Sequence, residues 1–243
     1  MIGAYGANHL PILKANLGAL TASSKYEFDT VVMATEPLDI PGVRFAYFGS
    51  GLKTWFLWKH QDVLKESDLT AYDLIIFTED DIWLTEDNLD YFREYADLFA
   101  GTEYLPGFLR YEVWTAGTYL VDMTLKSWDR GEPADIRNRR CWTTHSRNRM
   151  FPNVHQGVLM LDKERVRHLL DNGLLFVQPE QYEVEGVDAP LGPQESATIW
   201  PWKLYYRKAW ALDELDRLLI EHCDTYRGYP VGVPLDEFRA HIQ

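Results

Sequence analysis

LIIFTEDDIWL, residues 74–84, is the stretch whose reading decides the fold. Leu74, Ile75, Ile76 and Phe77 form an unbroken apolar run, the pattern of a strand buried on both faces of a mostly parallel sheet. The run stops at Thr78, and three carboxylates follow in succession, Glu79, Asp80 and Asp81. Adjacent carboxylates at the end of a buried strand raise one another's pKa unless a cation neutralises them. A hard divalent ion is the obvious candidate. Acidic clusters are more commonly solvated loops, and Glu86, Asp87 and Asp90 read that way, as the start of a surface helix. Position separates the triplet from these, because ligands bind in the crevice at the strand ends of an open α/β sheet.

Upstream, residues 2–5 are a short apolar strand, Asn8 caps a helix, and Leu10, Leu13, Leu17 and Leu20 follow at helical spacing. Residues 28–34 read as a second strand ending in Thr35, Glu36 and Pro37. Glu36 could hold a base or ribose there, although Pro37 alone accounts for a turn. Residues 43–48 read as a third strand that breaks at Gly49, Ser50 and Gly51, opening a helix with Leu52, Trp55, Phe56, Val63 and Leu64 on one face. Gly51 would present free backbone N–H groups and the positive end of a helix dipole, a seat for a diphosphate, or would serve only the steric needs of the turn. Lys53 lies in that helix's first turn, where the dipole disfavours cations, and so hints at a local anion. After the acids, Thr85 caps a helix with Leu89, Phe92, Ala96 and Phe99 on its buried face. The order βαββαβα implies a parallel, helix-covered sheet.

Residues 104–121 are aromatic and β-rich and read as strands extending the sheet, with Arg110 and Glu112 as a structural ion pair or a substrate-contacting one. Arg130, Arg137, Arg139, Arg140, Arg147 and Arg149 concentrate positive charge in residues 125–153, a segment without clear periodicity. It reads as a solvated loop that could close over an anionic donor or rest on an anionic membrane face. His155, Gln156 and Gly157 lead into a buried strand over 158–161, and Asp162 caps a helix carrying Val166, Leu169 and Leu170. The long connection over 179–202 holds Asp188 and Glu195; Trp200 and Trp202 beside Glu195 would raise its pKa towards values useful for proton abstraction. Leu212, Leu215, Leu218, Leu219 and His222 read as an amphipathic helix, and residues 228–234 as a turn-rich tail.

A chain of 243 residues fits one α/β domain. Cys141 and Cys223 are too few for a disulfide framework and lack metal-ligand spacing, so free thiols in a reducing compartment are expected. A formal charge of −13 argues against a nucleic-acid-binding surface, which needs a basic footprint. No apolar stretch approaches the roughly 20 residues that cross a bilayer, and the first residues lack a signal pattern. The expectation is a soluble, cytoplasmic protein.

Over roughly residues 1 to 100, this order of elements, with the strand ending in TEDDI, resembles the nucleotide-diphospho-sugar glycosyltransferases of the GT-A fold. The resemblance implies one glycosyltransferase domain, α/β in class: a Rossmann-related, mostly parallel sheet flanked by helices, a nucleotide-sugar half over 1–100 and a β-rich acceptor half over 101–243. The Glu79-Asp80-Asp81 triplet is similar to the superfamily's DXD-type motif. By that similarity Asp81 would bind Mn²⁺ or Mg²⁺ bridging the donor's diphosphate, with Glu79 and Asp80 contacting the donor. Glu36, Gly51 and Lys53 would complete the nucleotide-sugar site, with a UDP-sugar favoured. Glu195, or Asp188 in reserve, takes the place of the base in inverting members, and the acceptor would be a carbohydrate or glycolipid hydroxyl. A sugar-nucleotide nucleotidylyltransferase shares the layout but carries a long glycine-rich basic signature after its first strand, which GAYGANHLPIL lacks. A non-catalytic carbohydrate- or nucleotide-binding module would bind without turnover.

Overall fold

The computed structural model describes residues 1–4, 9–49, 59–121, 123–129, 131–143, 156–173, 206–223 and 232–243. In chain order it contains β1 (Ile2–Ala4), α1 (Leu10–Thr21), β2 (Val31–Ala34), β3 (Arg44–Tyr47), α2 (His60–Lys65), β4 (Leu74–Glu79), β5 (Ile82–Trp83) and α3 (Glu86–Leu98). Then come β6 (Tyr104–Pro106), β7 (Leu109–Trp114), β8 (Gly117–Val121), α4 (Leu125–Trp128), β9 (Glu132–Ile136) and β10 (Arg139–Thr143). The last are β11 (Val158–Asp162), α5 (Lys163–Asp171), β12 (Arg207–Ala211), α6 (Leu215–Leu218), β13 (Leu219–His222), β14 (Gly232–Pro234) and α7 (Leu235–Ile242). The protein is mixed α/β and divides into two compact units, one built on Met1–Ile82 with the segment from Gly157, the other on Trp83–Gln156 with Trp202–Gln243.

The first unit is organised by one sheet in the order β11-β4-β1-β2-β3. β1, β2, β3 and β4 run parallel, and β11 is antiparallel to β4. Every residue of β1 and β2 is buried, as expected of central strands covered on both faces, whereas Arg44 and Tyr47 of the edge strand β3 are exposed. Leu13 and Leu17, one helical turn apart on α1, pack with Ile2, Ala4, Val32, Ala34 and Leu38 in a continuous core. Successive strands run outward from β1 through β2 to β3, and the chain then returns to the other side of β1 to form β4. This reversal makes the carboxyl ends of β1 and β4 a topological switch point, the position at which open α/β sheets hold ligands.

The second unit holds the sheet β6-β12-β10-β9 and a further sheet whose strands wholly within the unit run β14-β8-β7-β13. Thr85 accepts the Asn88 N–H and Asn88 returns a bond to Thr85, a capping box that starts α3. Asn88 also donates to the carbonyls of Arg217 and Leu219, tying α3 to the point where α6 gives way to β13. Trp128 packs against Trp142, Trp210 and Phe238 with ring centroids 5.6, 5.5 and 4.9 Å away.

Two local expectations are corrected. Residues 212–222 are not one amphipathic helix: a 3₁₀ turn and the four-residue α6 are followed by β13, parallel to β7. From Leu219 the burial alternates, with Ile220 and His222 inside, so the period of two prevails once the strand has a partner. Part of the arginine-bearing segment is ordered as the β9–β10 hairpin. Its turn residues Arg137 and Asn138 have φ of 51° and 67°, the left-handed pair a two-residue hairpin turn requires. Arg137 donates to the Ala100 carbonyl, Arg140 to the Ile242 carbonyl, and Arg139 lies 3.9 Å from Glu94. Arg130, Arg147 and Arg149 lie outside the described residues.

Candidate metal centre

β4 delivers its acids to the switch point, and backbone bonds fix them there. The N–H of Thr78 donates to Met1, that of Asp80 to Gly3, and that of Glu79 to Gly157, at 3.0, 3.1 and 2.9 Å. The turn is thus held to β1 on one side and to the entry of β11 on the other. From α1, the buried Asn16 amide donates to the carbonyls of Asp80 (3.4 Å) and Ile82 (2.8 Å). Asn16 sits on the same stretch of helix as Leu13 and Leu17, so the packing that buries the helix also aims its amide at the acidic turn.

Glu79, Asp80 and Asp81 are 3%, 0% and 6% exposed, a burial that rules out the solvated-loop reading of this triplet. Removing a carboxylate from water costs several kcal/mol unless charge or hydrogen bonds compensate. A hydrogen-bonding partner for one of them is His9, the residue that opens α1, whose Nδ1 lies 3.2 Å from Asp80 Oδ1. A ring nitrogen of His9 and one carboxylate oxygen each from Asp80 and Asp81 all lie within 4.8 Å of one another. Dication–oxygen distances of about 2.0–2.6 Å let opposite ligand atoms stand about 4–5 Å apart, so the three atoms already have the spacing of a shared ion. The donor set, two carboxylates and an imidazole, fits a divalent metal.

Gly157 completes the arrangement. Its φ is +63°, and a Cβ there would lie 2.7 Å from Ile82 Cγ1 and 3.1 Å from Glu79 Oε2. Only glycine lets this backbone approach the turn closely enough to accept the Glu79 N–H.

Among the other sequence candidates, Glu36 is exposed two residues beyond the end of β2. Because Ala34 pairs in register with Ala4, it lies at the same carboxyl edge of the sheet as the acids. Gly51, Lys53, His155, Asp188 and Glu195 lie outside the described residues. Glu112 accepts hydrogen bonds from Trp114 Nε1 (2.9 Å) and faces His222 Nδ1 (2.8 Å), a buried dyad across β7 and β13 that the sequence reading did not pair. Lys208 is 1% exposed, and burial holds its ammonium well below the usual lysine range. Cys141 is buried and its thiol is pushed up to about 12, which leaves it without nucleophilic character.

The helix-borne amide gives a first prediction. Asn16→Ala removes both bonds to the acidic turn and leaves two carbonyls short of a donor, so stability in urea should fall by about 1–3 kcal/mol. Mn²⁺ affinity, read by titration of the folded variant, should fall with it. Unchanged Mn²⁺ affinity would show that the turn holds its shape without α1.

Among the described residues no helix is long and apolar enough to cross a membrane. Comparison of the sequence with protein-family models and with curated proteins finds no match.

Proposed function

We propose that the chain is a metal-dependent glycosyltransferase of GT-A type that moves a sugar from a nucleoside-diphosphate sugar, a UDP-sugar in the first instance, to a hydroxyl of a carbohydrate or glycolipid acceptor. The observation that carries this reading is the buried Glu79-Asp80-Asp81 turn at the switch point between β1 and β4, with the His9 imidazole against it. A parallel sheet with one antiparallel strand, β11, beside the acid-bearing strand agrees with the layout that the resemblance implies.

Bound there, Mn²⁺ or Mg²⁺ supplies Lewis acidity to the departing diphosphate. Asp81 and Asp80 would hold the ion, and Glu79 is the candidate contact to the donor's ribose or sugar. Glu36, at the same edge of the sheet, is the candidate for the base or ribose, and Gly51 with Lys53 for the diphosphate. The acceptor hydroxyl must lose a proton as the bond to the sugar forms; Glu195, with Asp188 in reserve, is the candidate base, and direct displacement gives inversion. Exclusion of water then directs the sugar to the acceptor instead of to hydrolysis. The arginines of residues 130–149 offer a weak electrostatic contact to an anionic membrane carrying a lipid-linked acceptor. Two free thiols suit the reducing cytoplasm.

The test is turnover and thermal stability against a panel of UDP-, GDP-, dTDP- and CMP-sugars, with and without Mn²⁺. One nucleoside-diphosphate sugar should stabilise the protein only with metal and should release its nucleotide, faster when acceptor is present. Pyrophosphate release from a nucleoside triphosphate and a sugar phosphate would instead identify a nucleotidylyltransferase. Binding without turnover would identify a carbohydrate- or nucleotide-binding module.

A further inference from the structure

We infer that His9 is a direct ligand of the ion, and that through this nitrogen the site favours first-row transition dications, Mn²⁺ among them, over Mg²⁺ and Ca²⁺. The inference rests on the metal-dependent reading above, but not on which sugar is moved.

His9 comes from a different element than the acids. It is the residue at which the chain leaving β1 enters α1, with Pro11 in the first helical turn restricting the backbone there. It stands 71 positions from Asp80 in sequence, yet its Nδ1 reaches Asp80 Oδ1 at 3.2 Å. The pairing of Gly3 with Glu79 across β1 and β4 brings the start of α1 and the acidic turn to the same edge of the sheet. Asp80 is fully buried, whereas the His9 side chain is 21% exposed. The imidazole therefore meets solvent, so an ion held by it and the carboxylates would be reached from the His9 side. The close approach of Gly157 to Glu79 and Ile82 closes the turn from the direction of β11.

The ligand set decides the metal class. Mg²⁺ and Ca²⁺ take oxygen ligands, and Mg²⁺ gives up water reluctantly in favour of anything else. Imidazole suits transition dications, whereas carboxylates suit Mg²⁺, Ca²⁺ and Mn²⁺ alike. Two carboxylates and one imidazole therefore form a set that a transition dication, Mn²⁺ included, can use in full and that Mg²⁺ uses only through its oxygens. Without His9 the same turn would be an oxygen site with little reason to prefer either ion.

Pulsed electron paramagnetic resonance on the full chain loaded with Mn²⁺ alone tests this directly, because a coordinated imidazole modulates the echo through its ¹⁴N nuclei. The wild type should show that modulation, and His9→Gln should lose it. Mn²⁺ affinity of His9→Gln, by calorimetric titration, should fall by at least about 10–100-fold, the loss typical even for an outer-shell partner of a ligand, while Mg²⁺ affinity barely moves. An echo from bound Mn²⁺ without nitrogen modulation, or a His9→Gln variant that binds Mn²⁺ like the wild type, overturns the inference. If the variant does not fold, the wild-type spectrum alone decides. Nitrogen-coupled Mn²⁺ in a protein that turns over no sugar nucleotide would refute the glycosyltransferase reading and leave the His9 assignment standing; turnover with no nitrogen coupling would do the reverse.

Discussion

On the proposed function, Asp81→Asn is expected to abolish metal-dependent stabilisation by a nucleoside diphosphate and to reduce sugar transfer by a factor of about 10³ or more. The substitution keeps the size of the side chain and removes its charge, so the turn loses one of the two carboxylates placed with His9 to hold the proposed ion. A ligand present at about 100 times its Kd stabilises the folded state by about 2.7 kcal/mol. For a chain of this length that corresponds to a rise in Tm of about 5–10 °C, which the variant should lack at every Mn²⁺ concentration tested. Metal stabilisation of the leaving group is worth several kcal/mol, and about 4 kcal/mol is a thousandfold in rate. The apo variant should be as stable as the wild type or more so, because a buried negative charge has been removed from a crowded acidic turn. A variant that keeps the nucleotide-dependent shift would relocate the metal to other residues.

Trp210→Ala costs about 3–5 kcal/mol in urea unfolding followed by far-ultraviolet circular dichroism, the range for truncating a large buried aromatic residue. Trp210 is fully buried on β12, packs with its ring tilted 55° against Trp128, and donates from Nε1 to the Phe108 carbonyl at 3.0 Å. Gly107 marks how closely the backbone packs on this ring, since a Cβ there would come within 2.6 Å of Trp210 Nε1. Truncation leaves a cavity beside Trp128 and removes the donor from a carbonyl in a buried segment. Against a typical total of about 5–15 kcal/mol, the loss is a large fraction of the protein's stability. Trp210→Phe, which fills part of the volume without restoring the hydrogen bond, should fall between the two. A drop below about 1 kcal/mol for the alanine variant would mean that this cluster does not hold the second unit together.

How much of this was legible depends on whether the signal is local. β4 and its acids could be read because an apolar run ending in three carboxylates is contiguous, and the α3 cap because Thr85 and its acidic first turn are adjacent in the chain. β1, β2 and β3 followed from apolar runs bounded by turn residues, and Asp162 caps α5 as its position before Val166 and Leu169 suggests. The misreading at 212–222 arose because Leu212, Leu215, Leu218 and Leu219 have helical spacing whether or not β7 is available to pair with Leu219–His222. The β9–β10 hairpin was hidden by its charges: Arg139 and Arg140 are exposed on their strand, and the turn has no glycine to announce it. His9 and Asn16 carried no local sign of their role. A histidine two residues ahead of a proline and an asparagine within a leucine-rich helix acquire their places only when β1 pairs with β4 and brings the acidic turn over α1. Gly157 was visible as part of a polar triplet, but its need for a bare backbone depends on Ile82 and Glu79, distant in sequence.

The most direct test of the account is the anomalous difference density of crystals soaked with Mn²⁺ and UDP. A manganese peak within bonding distance of Asp81, Asp80 and His9, with the diphosphate oxygens on its far side, is the expected result. Manganese and nucleotide bound elsewhere, with the acids of β4 touching neither, would contradict it.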